Sequence, residues 1–171
     1  DYYGVVSFGT SWKNQVLWGN YANNHKGYCV AFDEEILRDS NLFGKAGIVN
    51  YTNKYPEILP DLDGDREPTK KRINKSFTET HTKSKKWSKE KEYRATRLFY
   101  ENKDIPTVKD RLVSFPKNAV KEIIIGCQAT NSTIEEIKYI CNEKGFKVSK
   151  VYKIPFKFGL EKKVLRYNRC V

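Results

Sequence analysis

The chain alternates short apolar runs with long polar stretches, and the runs predict more strands than helices. Tyr2 to Phe8 reads as an opening strand, followed by a Gly9-Thr10-Ser11 turn in which Ser11 is placed to cap a helix. Val16, Leu17 and Tyr21 recur at helical spacing, and Gly27 stands where such a helix stops. Tyr28 to Phe32 is a compact apolar strand, Asp33 starts a short helix through Arg38, and Ile48 to Tyr51 is a further strand that Tyr55-Pro56 ends. After a polar, lysine-rich interval, a strand is predicted from about Glu92 to Tyr100, then Leu112 to Phe115 and Val120 to Ile125. Ser132-Thr-Ile-Glu135 has the pattern of a capping box, Ile134, Ile137, Ile140 and Cys141 form an apolar stripe, and Gly145 closes that helix. Phe146, Val148, Tyr152, Ile154, Phe156 and Phe158 share one parity, broken at Lys150, against Lys147, Lys153 and Lys157 on the other. That predicts a strand with one buried and one basic face, placed at an edge or bulge by Pro155. Strand, helix, strand at this spacing is a crossover packed on a sheet. The expected fold is α+β: one mixed domain, a curved β-sheet assembly with few helices and a C-terminal strand-helix-strand unit.

Composition bounds this picture. A chain of 171 residues suffices for one domain with a core, and 13% aromatics argue against disorder despite 31% charge. Residues 1–171 are expected as a single domain lacking an upstream part, since Asp1 is not a natural start and Met is absent. Apolar runs fall short of the ~20 residues of a membrane helix. Cys29, Cys127, Cys141 and Cys170 lack the close spacing of a zinc site, so free thiols in a reducing cytoplasm are expected, with no metal. Asp61-Leu-Asp63-Gly-Asp65 departs from a calcium loop because its Gly comes too early and no Glu completes it.

The net charge of +11 is unevenly spread: Arg66 to Arg97 carries +8 and Phe146 to Arg169 carries +7, leaving −4 for the rest. Residues 61–86 are expected as an exposed basic loop or solvated helix, with His81 solvated inside it. Lys70, Lys71, Arg72, Lys85 and Lys86 are the candidate contacts to a polyanion such as nucleic acid. A merely lysine-rich, soluble surface fits the same residues equally well.

Candidate chemistry gathers in two places. Trp18, Tyr21 and His25 are spaced three and four apart, so a helix reaching His25 carries all three on one face, lining a cleft or capping a core. Glu90 and Glu92, beside Trp87 and Arg94, point to one face near a strand's start and can divide catalytic roles. On residue chemistry alone they fit better a charged strand face in which Glu92 pairs with Arg94. A nucleophile elbow and a phosphate-cradling glycine loop are both absent from the sequence.

Trp18-x-x-Tyr21-Ala22-x-x-His25-Lys26-Gly27, an apolar strand ending Phe32-Asp33, and Trp87-x-x-Glu90-x-Glu92-Tyr93-Arg94 follow one another in this order. Together they resemble an uncharacterised bacterial family, domain of unknown function 2971, over about Tyr3 to Gly126. Members of that family usually carry an upstream tyrosine-rich strand and an Asn-Asp-Pro segment that this sequence does not show. The order of parts also resembles, more weakly, the core of the ADP-ribosyltransferase superfamily, a split β-sandwich. That resemblance implies NAD as co-substrate. Glu92 would grip the ribose beside nicotinamide, and Glu90 would assist the acceptor. Phe8, Ser11 and Tyr21 would fall in the middle part of that core. Trp18, His25 and Arg94 complete the expected substrate contacts. It further implies a toxin or phage-defence effector acting on nucleic acid. The alternatives are a non-catalytic nucleic-acid-binding module and a structural or partner-binding domain. For the enzyme, residues 18–27 and 87–94 are expected to share one cleft.

Overall fold

The computed structural model describes residues 3–57, 70–99 and 105–166; for residue 3 and residues 70–73 it describes the backbone only. The Asp61–Asp65 turn and Cys170 lie outside the described residues. The fold is α+β, with short helices between small sheets. The chain is divided between two compact units and changes unit at Thr10/Ser11, Asn41/Leu42 and Val113/Ser114.

The first unit is built on β1 (Tyr3–Gly9), β3 (Ala46–Ile48) and β6 (Glu92–Leu98), an antiparallel sheet in the order β1-β6-β3. The register sets Val5 opposite Thr96, Ser7 opposite Arg94 and Ala46 opposite Ala95. β4 (Asn50–Thr52) runs parallel to β5 (Thr82–Ser84), so the single strand expected over 48–51 is two strands broken at Val49. Part of the expected basic loop is ordered as α3 (Lys70–Thr80), the solvated-helix alternative. His81 corrects the sequence reading: it is 1% exposed, because its ring stacks on Phe77 and its Nε2 donates to the Arg94 carbonyl oxygen. Leu112 to Phe115 forms no strand. Four residues without alternation or a hydrogen-bonding neighbour do not make one.

The second unit contains α1 (Gln15–Tyr21), β2 (Tyr28–Phe32), α2 (Glu34–Asp39), β7 (Val120–Ile125), α4 (Asn131–Lys144), β8 (Val148–Lys153) and β9 (Leu160–Val164). Its sheet order is β2-β7-β8-β9, and only β7 and β8 are parallel, joined by α4 as the expected crossover. Asp33 caps α2 by accepting from the Glu35 and Ile36 amides. α1 is capped by Asn14 and not by Ser11, whose hydroxyl instead accepts from Lys13 N. α4 starts one residue beyond Thr130, whose side chain accepts from Thr133 N, so the cap precedes the expected Ser132. Gly145 ends α4 at φ 68°.

This sheet is covered on both faces. Ile125, Ala129, Cys141 and Val148 pack with Ile134 and Ile137 of α4. Ile124, Val151 and Leu160 pack around Trp18. Central strands buried on both faces read as near-continuous apolar runs, as Ile123-Ile124-Ile125 does. The expected basic face of β8 is corrected: Ser149 and Val151 on that parity are fully buried. Nor does the strand reach Phe158. Pro155 ends it, Phe156 and Phe158 stand fully exposed, and the chain returns as β9.

Candidate functional site

In the first unit, β6 begins on a charge network. A 3-10 turn, Lys85–Glu90, leads to Lys91 in the left-handed conformation (φ 50°), and β6 starts at the next residue. Glu90 therefore sits on the turn that precedes the strand, whose start at Glu92 is as expected. The left-handed kink at Lys91 separates the two carboxylates, and both are buried. Glu90 is 1% and Glu92 5% exposed. Lys83 Nζ donates to Glu90 at 2.5 Å and to Glu92, and Arg94 Nε donates to Glu92 at 2.8 Å. Arg94 also donates to the Thr80 carbonyl at 2.7 Å, and the Glu92 amide donates to the Tyr51 hydroxyl at 2.9 Å. Two cations and two anions leave the network neutral. Burial pushes the Glu92 carboxyl up, but hydrogen bonds from Arg94 and Lys83 outweigh it and hold its pKa at about 2. Burial likewise works against the Lys83 ammonium, and its bonds to Glu90 and Glu92 overcome that and raise it.

The same turn sorts its charges. Glu90 and Glu92 face inward, while Lys85, Lys86, Lys89 and Lys91 are exposed around Trp87, itself 48% exposed. Lys83 Nζ stands 5.1 Å from the Trp87 ring centroid and steadies it from beneath. Lys85 and Lys86 are thus displayed as the sequence predicts. Lys70, Lys71 and Arg72 open α3, and their side chains lie outside the described residues.

Trp18, Tyr21, His25 and Ser11 belong to the second unit. The helix stops at Tyr21, because Asn23, Asn24 and His25 take positive φ of 48°, 51° and 67°. Asn and His enter that region more readily than most residues. The three rings consequently do not share a helix face. Tyr21 is 66% exposed, whereas Trp18 is 3% exposed and donates from Nε1 to the Trp12 carbonyl at 2.6 Å. Trp18 is a core residue, the second of the two roles open to it. His25 reaches it through the turn: His25 N donates to Trp18 O at 3.1 Å, and the rings stack at 6.0 Å. Burial, with Lys153 nearby, lowers the His25 pKa.

Sequence reasoning missed Lys83, Tyr51 and Thr80, whose roles come from strand pairing and carry no local signal. It also missed a third buried carboxylate. Glu122, 4% exposed on β7, accepts from Ser149 Oγ and Lys162 Nζ, with Lys147 Nζ at 3.7 Å. Burial raises its pKa, and the bonds from Lys162 and Ser149 bring it below the ordinary carboxylate value. The available signal was a lone carboxylate inside an apolar strand, which requires partners.

Among the described residues, His, Cys, Asp and Glu side chains form no group of three or more that could hold a metal ion. No described helix is long and apolar enough to cross a membrane. The chain matches no curated protein and no solved structure. Residues 17–95, which span the His25 turn, Trp87 and the Glu90–Arg94 network, match the model of the family described as Protein of unknown function (DUF2971), so the resemblance to that family holds over this stretch.

Proposed function

We propose that the protein is a nucleic-acid-binding module that uses the lysine-rich turn around Trp87, acting in a reducing cytoplasm that suits the free thiols of Cys29, Cys127 and Cys141. The observation that supports this reading is the sorting of charge on one turn. A segment of mixed sign in the sequence becomes purely basic at its surface, because Lys83 and Arg94 neutralise its carboxylates internally. An exposed indole among ammonium groups suits a base stacked between phosphates. Lys85→Ala/Lys86→Ala is expected to weaken oligonucleotide binding about tenfold near 0.1 M salt and to reduce the salt slope by about two, with an unchanged melting temperature. Lys70, Lys71 and Arg72 are expected to add to the same slope. Anisotropy titrations over a salt series measure both quantities, and equal slopes for wild type and variant would sink the reading.

The transferase reading, with NAD as co-substrate and a toxin or defence role, has one observation in its favour. Glu92 heads β6 and is ionised throughout the physiological range. Against it, substrate would have to displace Lys83 or Arg94 from a carboxylate that is 5% exposed. Nicotinamide release from NAD by wild type, lost in Glu92→Gln, is the outcome that would favour it over the binding module.

A further inference from the structure

The β8–β9 hairpin carries a feature that the Trp87 turn does not explain. Its tip closes with Lys157 N donating to Ile154 O at 3.3 Å and Ile154 N donating to Gly159 O at 3.2 Å. Ile154 to Lys157 is thus a four-residue turn with Pro155 second and Phe156 third. Phe156 has φ 58°, and a positive φ at that position calls for Gly or Asn. A bulky ring there is strained, and here it gains no packing in return: Phe156 is 107% and Phe158 108% exposed. The sequence has placed an aromatic ring in water where glycine would relieve strain.

The rest of the hairpin is basic. Lys150 and Lys163 face each other directly across β8 and β9, a like-charge pair that disfavours the sheet. Their Nζ atoms lie 5.7 and 5.3 Å from the Tyr152 ring centroid. Glu161 at 3.3 Å from Lys163 offsets part of this charge. Lys153 and Lys157 lie beside the tip, and both are exposed.

We propose that this hairpin is a binding site for single-stranded nucleic acid, with Phe156 and Phe158 as stacking rings and Lys150, Lys153, Lys157 and Lys163 as phosphate contacts. The inference goes beyond the Trp87 reading, since it assigns a second surface in the other unit and a strand state. Unpaired bases offer the faces that exposed phenyl rings need, whereas a duplex hides them. Cations extend from the tip back along both strands to Tyr152, which suits a chain of phosphates better than a tip-only wedge in lipid.

The test uses fluorescein-labelled oligothymidylate of about 12 nucleotides and a blunt duplex of equal length. Phe156→Gly/Phe158→Ser is expected to weaken single-strand binding at least tenfold while changing duplex binding less than twofold. Because Phe156→Gly relieves the positive φ, the melting temperature should be unchanged or higher, which separates loss of the site from loss of fold. Lys150→Ala/Lys163→Ala should lower the single-strand salt slope by about 1.4. Wild-type affinity in the phenylalanine variant overturns the proposal. So does loss confined to anionic phosphatidylserine vesicles, which would make the tip a lipid contact. Lys85→Ala/Lys86→Ala distinguishes the two surfaces. If it leaves binding intact while the hairpin variant does not, the Trp87 reading fails and the hairpin stands; the reverse result keeps only the turn.

Discussion

Lys83→Met is expected to destabilise the protein by about 3–5 kcal/mol, because it removes the cation that bridges two buried carboxylates. Glu90 and Glu92 then face one another as like charges in an interior, and methionine fills the space of the lysine stem without replacing its ammonium. The effect should be large for the first unit in particular. Both apolar core clusters among the described residues lie in the second unit, while His81, Glu90, Glu92 and Thr96 are among the most buried side chains of the first. Chemical denaturation followed by circular dichroism measures the loss. Lys83→Met/Glu90→Gln should recover part of it, since one of the opposing charges is gone. A single variant as stable as wild type would show that the network contributes no net stability.

The sign of the pH dependence follows from Glu92. Its folded pKa of about 2 lies below the ordinary 4.5, so the folded state favours the ionised form. Its contribution, on the order of 3 kcal/mol, is complete above pH 4.5 and is lost as pH falls towards 2. Wild type should therefore lose stability through that window more steeply than Glu92→Gln. In Lys83→Met, proton uptake by one carboxylate relieves the repulsion, so the gap between variant and wild type should narrow with acid.

What the sequence discloses is what neighbouring residues decide. Asp33 ahead of two glutamates, Gly145 after an apolar stripe, and Val120 to Ile125 before a helix are local patterns, and each became the element expected. The start of β6 at Glu92 was legible for the same reason. Burial of Glu90, Glu92 and His81 was not, because it depends on β4, β5 and α3 coming together, and a lysine-rich composition gives no local sign of that. Phe156 and Phe158 misled through parity: alternation continues past Pro155 on paper, but the strand cannot. β9, with Glu161, Lys162 and Lys163 in a row, shows too little alternation to be read as a strand. Hydrogen bonds to β8 hold it, and the Lys162 ammonium turns inward to Glu122. At Glu92 the residues themselves favoured an Arg94 partner over a catalytic carboxylate, and that pair forms. Only the geometry shows that Lys83 completes the pairing.

Gly126→Ala is expected to cost about 3 kcal/mol or more, placing it among the severe single substitutions. A Cβ at this position would lie 2.1 Å from the His25 carbonyl oxygen, 2.7 Å from its carbonyl carbon and 2.9 Å from the Gly27 oxygen. All three are backbone atoms, so no rotamer change makes room. Glycine is required here for close approach of two chain segments. Gly126 N donates to Gly27 O at 2.9 Å and Gln128 N to His25 O at 3.0 Å, so a methyl group must break these bonds. Moving the His25 turn outward also lifts its ring from Trp18, which fixes Ile124, Val151 and Leu160 in the core. The denaturation midpoint should fall, and the near-ultraviolet signal of Trp18 should weaken even below the midpoint. Gly19→Ala is the matched control. It lies within α1, where an added methyl would meet no atom within 4 Å, and should stabilise the protein by about 0.5–1 kcal/mol. Opposite signs from the same one-methyl change would establish that backbone contact, and not glycine loss in itself, sets the effect. An unchanged midpoint for Gly126→Ala would mean that the His25 turn does not pack against Gly126 in solution.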